Sequence, residues 1–491
     1  MTARGTRRYL IGFTAIVVLL LGAWLVLLRE GTEANSNDPN WTFNHGSIGN
    51  EDTQGLPYWI WRVLPNVFAD LLPADQRGLS AVGVAWRAGE PLPVGFSQKT
   101  VGVISRVSTN CAFCHQGTYR LNKYDAEVIV SGGAGTRVDA MGYQRFLIAV
   151  GKSDRFTPSV IMAAIKSRYA MPLWERMLYR HILIPATRVQ LQNQATAFSW
   201  AGSRPDWGPG RVDMLNMAKL NNLGLHDDGT NGSADIMPLW RLNTTTATNQ
   251  RRFALHWDGL STDLHETVLT QAITSGMTYD TQPGVDGNLA KIEDFVSVAT
   301  PPPSPFLPTL TPVDPYYVAP GNLVRGAEIF ADTCAICHDP SGARYRLPVS
   351  IAEVGTDRNR MESWSKDALQ QFATYQNGHD WDLDYFQKTN GYLATDLTGL
   401  WLRAPYLHNG SIPNLTALLT PPAKRPAQFW RGSDLVDTKN GGFVSSEGGD
   451  PYRTMVPYDT TVTGNSNSGH TWGTDLGTAD KNALLAYLKT L

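Results

Sequence analysis

Two pentapeptides carry the most specific chemistry in the chain: Cys-Ala-Phe-Cys-His at 111–115 and Cys-Ala-Ile-Cys-His at 334–338. Cys-x-x-Cys-His is the spacing by which haem c is attached to a polypeptide. The paired thiols, Cys111 with Cys114 and Cys334 with Cys337, would saturate the two vinyl groups. The adjoining imidazole, His115 or His338, would then ligate the iron from below. All four cysteines of the chain lie in these boxes, so none is left for a structural disulfide. A histidine directly after the second cysteine in both copies favours haem over a thioredoxin-like pair or one zinc site built from two halves. The expected cofactors are two covalently bound haem c groups with their iron.

What each haem does depends on its sixth position. For the second, the histidines and methionines after Cys334 are Met361, His379, His408, Met455 and His470. His470 stands in GNSNSGHTWGTDL, a Gly/Asn/Ser loop before the last helix that a chain can fold over a haem face. His408 stands in APYLHNGSIPNL, between an X-Pro turn and a Gly turn. For the first haem the informative stretch is RRFALHWDGLSTDLHETVLTQAI (251–273), with two histidines, a tryptophan and several acids. Peroxide cleavage needs a group that takes a proton from one oxygen and returns it to the other, and a carboxylate beside an open haem can do so. Glu266 and Asp258 are the candidates. A helix N-terminus with acids in its first turn would look the same and serve only the dipole.

These residues need elements to hold them. Residues 158–193 read as mainly helical, with Met162, Ile165, Tyr169, Leu173 and Met177 at spacings of three and four, and with breaks expected at Pro172 and Pro185. NLVRGAEIFADTCAICH reads as a helix running into the second box. TADKNALLAYLKTL reads as a final helix, with Thr478 as N-cap and Leu484, Leu485 and Leu488 on an apolar face. Strand signals are sparse, so the expected class is mostly α. TPPPSPFLPTLTPVD, with six prolines, is a stiff extended connector and the best boundary between the boxes.

At the other end, Tyr9 to Leu28 is an uncharged apolar run of about 20 residues, enough to cross a bilayer as a helix. Arg4, Arg7 and Arg8 precede it, which leaves the N-terminus in the cytoplasm and exports the rest. No Ala-x-Ala cleavage site follows, which favours an uncleaved anchor. Aromatic residues Tyr58, Trp59, Trp61 and Phe68 then crowd a short span, either against a membrane interface or in a first core. The 42% hydrophobic content is that of a globular protein, and the formal net charge of −2 argues against nucleic acid as a partner.

Taken together, the two boxes, RGAEIF before the second and APYLHNGSIPNLTALL after it resemble the di-haem cytochrome c peroxidase superfamily. That group includes the bacterial di-haem peroxidases, the MauG enzymes and the haem rubber oxygenases. WGPGRVD (207–213), LHWDG (255–259) and NSNSGHTWGTDL are most similar to the rubber-oxygenase-like branch. The resemblance covers most of the chain from about Gly55. It implies that His470 closes the sixth position of the C-terminal haem and that His408 lies beside that haem. It places Glu266 on the distal acid–base glutamate of the peroxidases, with Trp257, and less directly Trp240, near the distal side of the first haem. His265 replaces an acid of the family pattern and is an alternative ligand to the first haem. Calcium occurs between the haems in this superfamily, but no ligand set is evident here.

The expected architecture is therefore mostly α: two cytochrome c-like haem domains with long loops, plus one N-terminal transmembrane helix. Its divisions are an anchor at 1–30, a linker at 31–54, an N-terminal haem domain at 55–299, the Pro-rich linker at 300–314 and a C-terminal cytochrome c domain at 315–491. The expected location is the bacterial inner membrane, single-pass, with the haem domains in the periplasm. The expected activity is peroxidase- or oxygenase-like, the C-terminal haem relaying electrons to an N-terminal active-site haem. A small oxidant, peroxide or dioxygen, would be the substrate, and an electron-donor protein or quinol-linked partner would supply the electrons. The alternative is a non-catalytic di-haem electron carrier or a respiratory-complex subunit.

Overall fold

A computed structural model describes residues 37–73, 78–243, 253–379 and 381–491. About 40% of the chain is helix and 12% is strand, which corrects the mostly α expectation. The strands are only two to six residues long, too short for their alternation to stand out in the sequence. They form five small sheets among the described residues, all paired antiparallel. One has three strands, with Ile104–Thr109 between Leu56–Pro57 and Phe96–Val101. The others pair Gln116–Tyr119 with Val128–Ser131, Arg211–Val212 with Ala234–Asp235, Pro348–Ser350 with Gly391–Leu393, and Gln428–Arg431 with Val456–Asp459.

The transmembrane helix in the expected fold class is also corrected, and the single-pass inner-membrane location with it. Among the described residues no helix is long and apolar enough to cross a membrane. Among the described residues the longest unbroken helical run, Leu173–Ala197 with its π turn, carries Glu175, Arg176, Arg180 and Arg188, which a membrane span would have to bury in hydrocarbon. The apolar run Tyr9–Leu28, on which the anchor was expected, lies outside the described residues.

Three apolar clusters carry the packing. In the first, Trp61 and Phe68 are buried with Phe96, Phe113 and Tyr143, and the Trp61 indole donates to the Tyr143 hydroxyl at 3.2 Å. Trp59 stacks on Tyr169 with ring centroids 4.3 Å apart, so this aromatic span belongs to a core. The second cluster gathers Phe43, Leu215, Val268 and Ile292 with Trp364, Phe372 and Trp381 from beyond the second box. The third holds Phe330, Trp401 and Leu484 together with Trp240 and Phe306.

Within residues 158–193 the two prolines act differently. Pro172 ends the helical run, leaving Pro158–Lys166 separate from Leu173–Leu178. Pro185 does not break the chain: a π-helical turn at Tyr179–Leu183 precedes it, and the α-helix Ile184–Ala197 starts there. The π turn displaces the ladder bond that a proline would otherwise remove. Leu173 and Met177 are exposed, and the core face of this stretch is formed by Ile161, Met162 and Ile165 and then by Tyr179, Leu183, Ile184 and Leu191.

The helix Pro320–Thr333, leading into the second box, crosses the C-terminal helix Thr478–Thr490. Gly326 is the contact point: a methyl there would run into the Ala483 carbonyl and the Tyr487 side chain. The N-cap of the last helix is Gly477, not Thr478, which is its first helical residue. The Pro-rich connector contains no helix, and it is pinned rather than free. Phe306 is buried in the third cluster, and the Ser304 hydroxyl donates to the Lys489 carbonyl at 2.6 Å.

Candidate functional site

Each box is a single helical turn held tightly by its neighbours. Asn110 caps Cys111–Cys114 through its side chain, which accepts from the Ala112 N–H at 3.1 Å. Gly95 (φ +87°) lies against the Phe113 backbone, where a side chain would collide. In the second box, Gly342 lies under the carbonyls of Ala335 and Ile336 in the same way. No disulfide joins any of the four cysteines. Burial pushes Cys111 up to about 11, Cys114 to about 12 and Cys334 to about 11. A redox-active Cys-x-x-Cys pair needs the opposite, a depressed thiol pKa.

The box histidines are oriented alike. His115 Nδ1 donates to the Met237 carbonyl at 2.8 Å, and His338 Nδ1 donates to the Thr395 carbonyl at 2.7 Å. A bond from Nδ1 to a carbonyl sets the tautomer and leaves Nε2 free for a metal, the usual outer-shell arrangement of a ligating histidine. The small sheets provide these acceptors. Ala234–Asp235 ends two residues before Met237, and Gly391–Leu393 ends two residues before Thr395.

Opposite His338 stands His470, with ring centroids 6.3 Å apart and planes inclined at 45°. Two metal–nitrogen bonds of about 2 Å plus the ring radii add to about 6 Å, so this separation fits one iron between the two rings. His470 sits at φ +43°, and Arg425 clamps its turn by donating to the carbonyls of Gly469 at 2.8 Å and His470 at 3.0 Å. Burial depresses His470 to about 4, and its Nδ1 has no hydrogen-bond partner.

The remaining expected residues fall as follows. Glu266 is fully buried near the start of the helix Leu264–Thr274, whose N-cap is Asp263. Its Oε2 accepts from the Ser261 hydroxyl at 2.9 Å, and its Oε1 accepts from the N–H groups of Tyr385 and Phe386 at 3.0 and 3.1 Å. Burial pushes its pKa up to about 7. Trp257 packs on Ile351, Met361 and Tyr392. Its indole N–H donates to the Asp235 carbonyl at 2.7 Å, and its own carbonyl accepts from Leu393 N–H at 2.7 Å.

His408 is buried and stacks on Tyr392, with centroids 3.7 Å apart. Desolvation, with Arg360 and Arg211 nearby, holds it well below the usual histidine range. Trp240 lies in the C-terminal core, against Gly399 and beneath the Arg403 guanidinium. His265 is exposed and pairs with Glu293 at 2.7 Å, so it faces away from the first box. Asp258 is buried against Arg360 at 3.2 Å. Among the described residues no group of three or more His, Cys, Asp or Glu gathers to hold a metal ion, so no calcium site is assigned.

One residue that the sequence pointed to only as part of a stretch, without a role, is His256. Next to Trp257, it sits at φ +63° in the turn between Leu255 and Ser261. Burial lowers its pKa to about 3, with further contributions from Arg360 and from His115. Its signal in the sequence was its place in LHWDG, two residues before Asp258.

Comparison with known proteins bears on the C-terminal region. A family model described as RoxA-like, cytochrome c-like matches residues 391–431, the stretch that runs from the Tyr392 strand through His408 to Arg431. Two uncharacterised proteins of Sinorhizobium fredii (strain NBRC 101917 / NGR234) are also similar. The one designated y4iM is 35% identical over 196 residues, covering 34% of this chain and 44% of y4iM. The other, y4iJ, is 28% identical over 231 residues, covering 34% of this chain and 38% of y4iJ. The matches therefore span less than half the length of these curated relatives. The match over 391–431 supports a haem c cytochrome with covalently bound haem and iron.

Proposed function

We propose that this cytochrome holds two haems in unequal roles, and that it is an oxidoreductase of the peroxidase or oxygenase type. The site at Cys334, Cys337 and His338, closed by His470, serves as the electron relay. The site at Cys111, Cys114 and His115 is where a small oxidant, peroxide or dioxygen, reacts. Haem c supplies the one-electron chemistry and the reactive iron when bound. The RoxA-like match supports the rubber-oxygenase-like branch of the di-haem superfamily. Reducing equivalents would come from an electron-donor protein or a quinol-linked partner.

The observation that carries this reading is a bonded path between the two box histidines. His338 donates to Thr395; two residues back along the chain, Leu393 donates to Trp257. The Trp257 indole donates to Asp235, and two residues on, Met237 accepts from His115. Its four hydrogen bonds are 2.7, 2.7, 2.7 and 2.8 Å long. Such a path links the two sites through hydrogen bonds and backbone, and it supports a relay between them. The chain's residues otherwise orient the imidazoles, bury the sites and hold Glu266 neutral or charged near neutral pH.

A second reading, a carrier with both sites six-coordinate, is favoured by the position of His256. Titration of the holoprotein separates the two. The oxidoreductase reading expects two haems per chain, one of which binds carbon monoxide after reduction or cyanide before it. A single haem per chain, or two that bind neither ligand, would sink it.

A further inference from the structure

We infer that Arg211 anchors a propionate carboxylate of the haem held at Cys111–His115, which rests on the reading that this box holds a haem. Arg211 is 1% exposed, and the fold gives its charge no partner. Its Nη2 donates to the Ser233 hydroxyl at 2.8 Å and to the Ser233 carbonyl at 3.5 Å, while its Nε has no hydrogen-bond partner. The other buried arginines are provided for. Arg120, Arg137, Arg360 and Arg431 each pair with an acid. Arg425 uses all its nitrogens on backbone carbonyls. Arg346 donates to the carbonyls of Arg241 and Asn243 and leaves no buried nitrogen orphaned.

The surroundings of Arg211 carry an excess of positive charge. Arg211 and Arg431 flank one ring, their guanidinium carbons 5.1 and 5.4 Å from the centroid of Tyr458. Asp235, the carboxylate opposite Arg211 in the strand pair, is bonded to Arg431 instead. Asp213 already accepts from the Asn216 N–H, the Asn216 amide and the Gly232 N–H at 3.0, 2.7 and 2.8 Å. A buried guanidinium without a counter-ion is strongly unfavourable, so the fold is completed by an anion from outside the chain. The planar fork of arginine matches a carboxylate.

The position of Arg211 selects the first box. The Gly210 carbonyl accepts from the Ile236 N–H at 2.9 Å. Arg211 follows Gly210, and Met237, whose carbonyl orients His115, follows Ile236. A single hydrogen bond therefore separates the two residues. Glycines close the remaining distance: Gly135 lies against the Cys114 carbonyl, and Gly210 lies against the carbonyls of Gly135 and Thr136. The second box is oriented from a different sheet, through Thr395. Haem c brings propionate carboxylates that neither the cysteines nor the iron ligands use.

The test compares R211Q and R211K with wild type as holoproteins. It measures haem count, the midpoint potential of each haem, the propionate bending mode in resonance Raman spectra, and thermal unfolding with and without sodium acetate. H470G, which alters the second haem, tells the two midpoints apart. In R211Q the midpoint of the first haem should fall, because a propionate stripped of its cation favours the ferric state. R211K keeps the charge and should restore most of that loss, while acetate leaves all three proteins unchanged. The bending mode should shift in both variants, and an unshifted mode in R211K overturns the anchor even if R211Q does not accumulate. A midpoint that falls only at the second haem, or at neither, also overturns it. Unmoved midpoints with acetate stabilising wild type but not R211Q would assign Arg211 to a free carboxylate instead. One haem per chain in wild type overturns the occupancy of Cys111–His115, and the anchor falls with it.

Discussion

The Trp257 indole N–H donates to the Asp235 carbonyl at 2.7 Å, and this single bond joins the turn carrying His256 to the segment that orients His115. It is also the one side-chain link in the bonded path between the two boxes that does not come from a box histidine. W257F keeps the aromatic ring and removes the donor. It should slow electron equilibration between the haems after photolysis of a half-reduced sample, with the haem count unchanged. The unpaired Asp235 carbonyl should also cost about 1–3 kcal/mol of stability. An unaltered equilibration rate would remove Trp257 from the path.

His470 is held by a clamp of carbonyls around Arg425 rather than by bonds to its own ring. H470G should therefore leave its loop in place, glycine being suited to its positive φ. The second haem should become high-spin and able to bind carbon monoxide, and free imidazole should restore the low-spin form. A low-spin spectrum that persists without imidazole would assign the ligand elsewhere.

Gly326 has no room for a side chain, because the backbone of the C-terminal helix passes directly over it. G326V must push Pro320–Thr333 and Thr478–Thr490 apart. Overpacking of this kind costs about 1–3 kcal/mol, and the crossing positions the second box. Thermal unfolding should shift down, and attachment of haem at Cys334–Cys337 should fall relative to Cys111–Cys114. Wild-type stability in G326V would show that the crossing tolerates separation.

The boxes could be read from the chain because covalent attachment imposes a local spacing, and the first and last C-terminal helices because their apolar faces run for several turns. His470 was one of several candidates by its Gly/Asn/Ser loop, and only the family resemblance singled it out. What stayed hidden depends on distant partners. The acceptors Met237 and Thr395 are backbone carbonyls, which any residue type can supply. His256 is marked in the fold by its positive φ, which no residue pattern announces. The small sheets escaped because a pair such as Arg211–Val212 with Ala234–Asp235 is too short to alternate. Pro185 was misread as a break because the π turn that accommodates it leaves no pattern in residue types.

Glu266 has the pKa of a proton shuttle but the bonds of a fastener. Its pKa is raised from 4.5 to about 7 by burial, near the optimum for acid–base work at neutral pH. Both oxygens are nonetheless engaged, by Ser261 on one side and the N–H groups of Tyr385 and Phe386 on the other. Glutamine can reproduce those bonds, its carbonyl accepting from the two N–H groups and its amide donating to Ser261. E266Q should therefore fold, whereas E266A leaves two N–H donors without an acceptor and should lose about 1–3 kcal/mol. The pH dependence separates the roles further. Between pH 4.5 and 7 the folded protein keeps a proton on Glu266 that the unfolded chain has released. Stability contributed by this group is thus fully present below pH 4.5 and is lost as pH rises through 7. A shift of that size is worth about 3 kcal/mol at 1.36 kcal/mol per pKa unit, and the difference in stability between wild type and E266Q should trace it. If Glu266 also shuttles protons, E266Q should cut peroxide turnover by about 10²-fold or more. If it only fastens the 385–386 loop beside His256, turnover should survive in E266Q and fall in E266A together with stability.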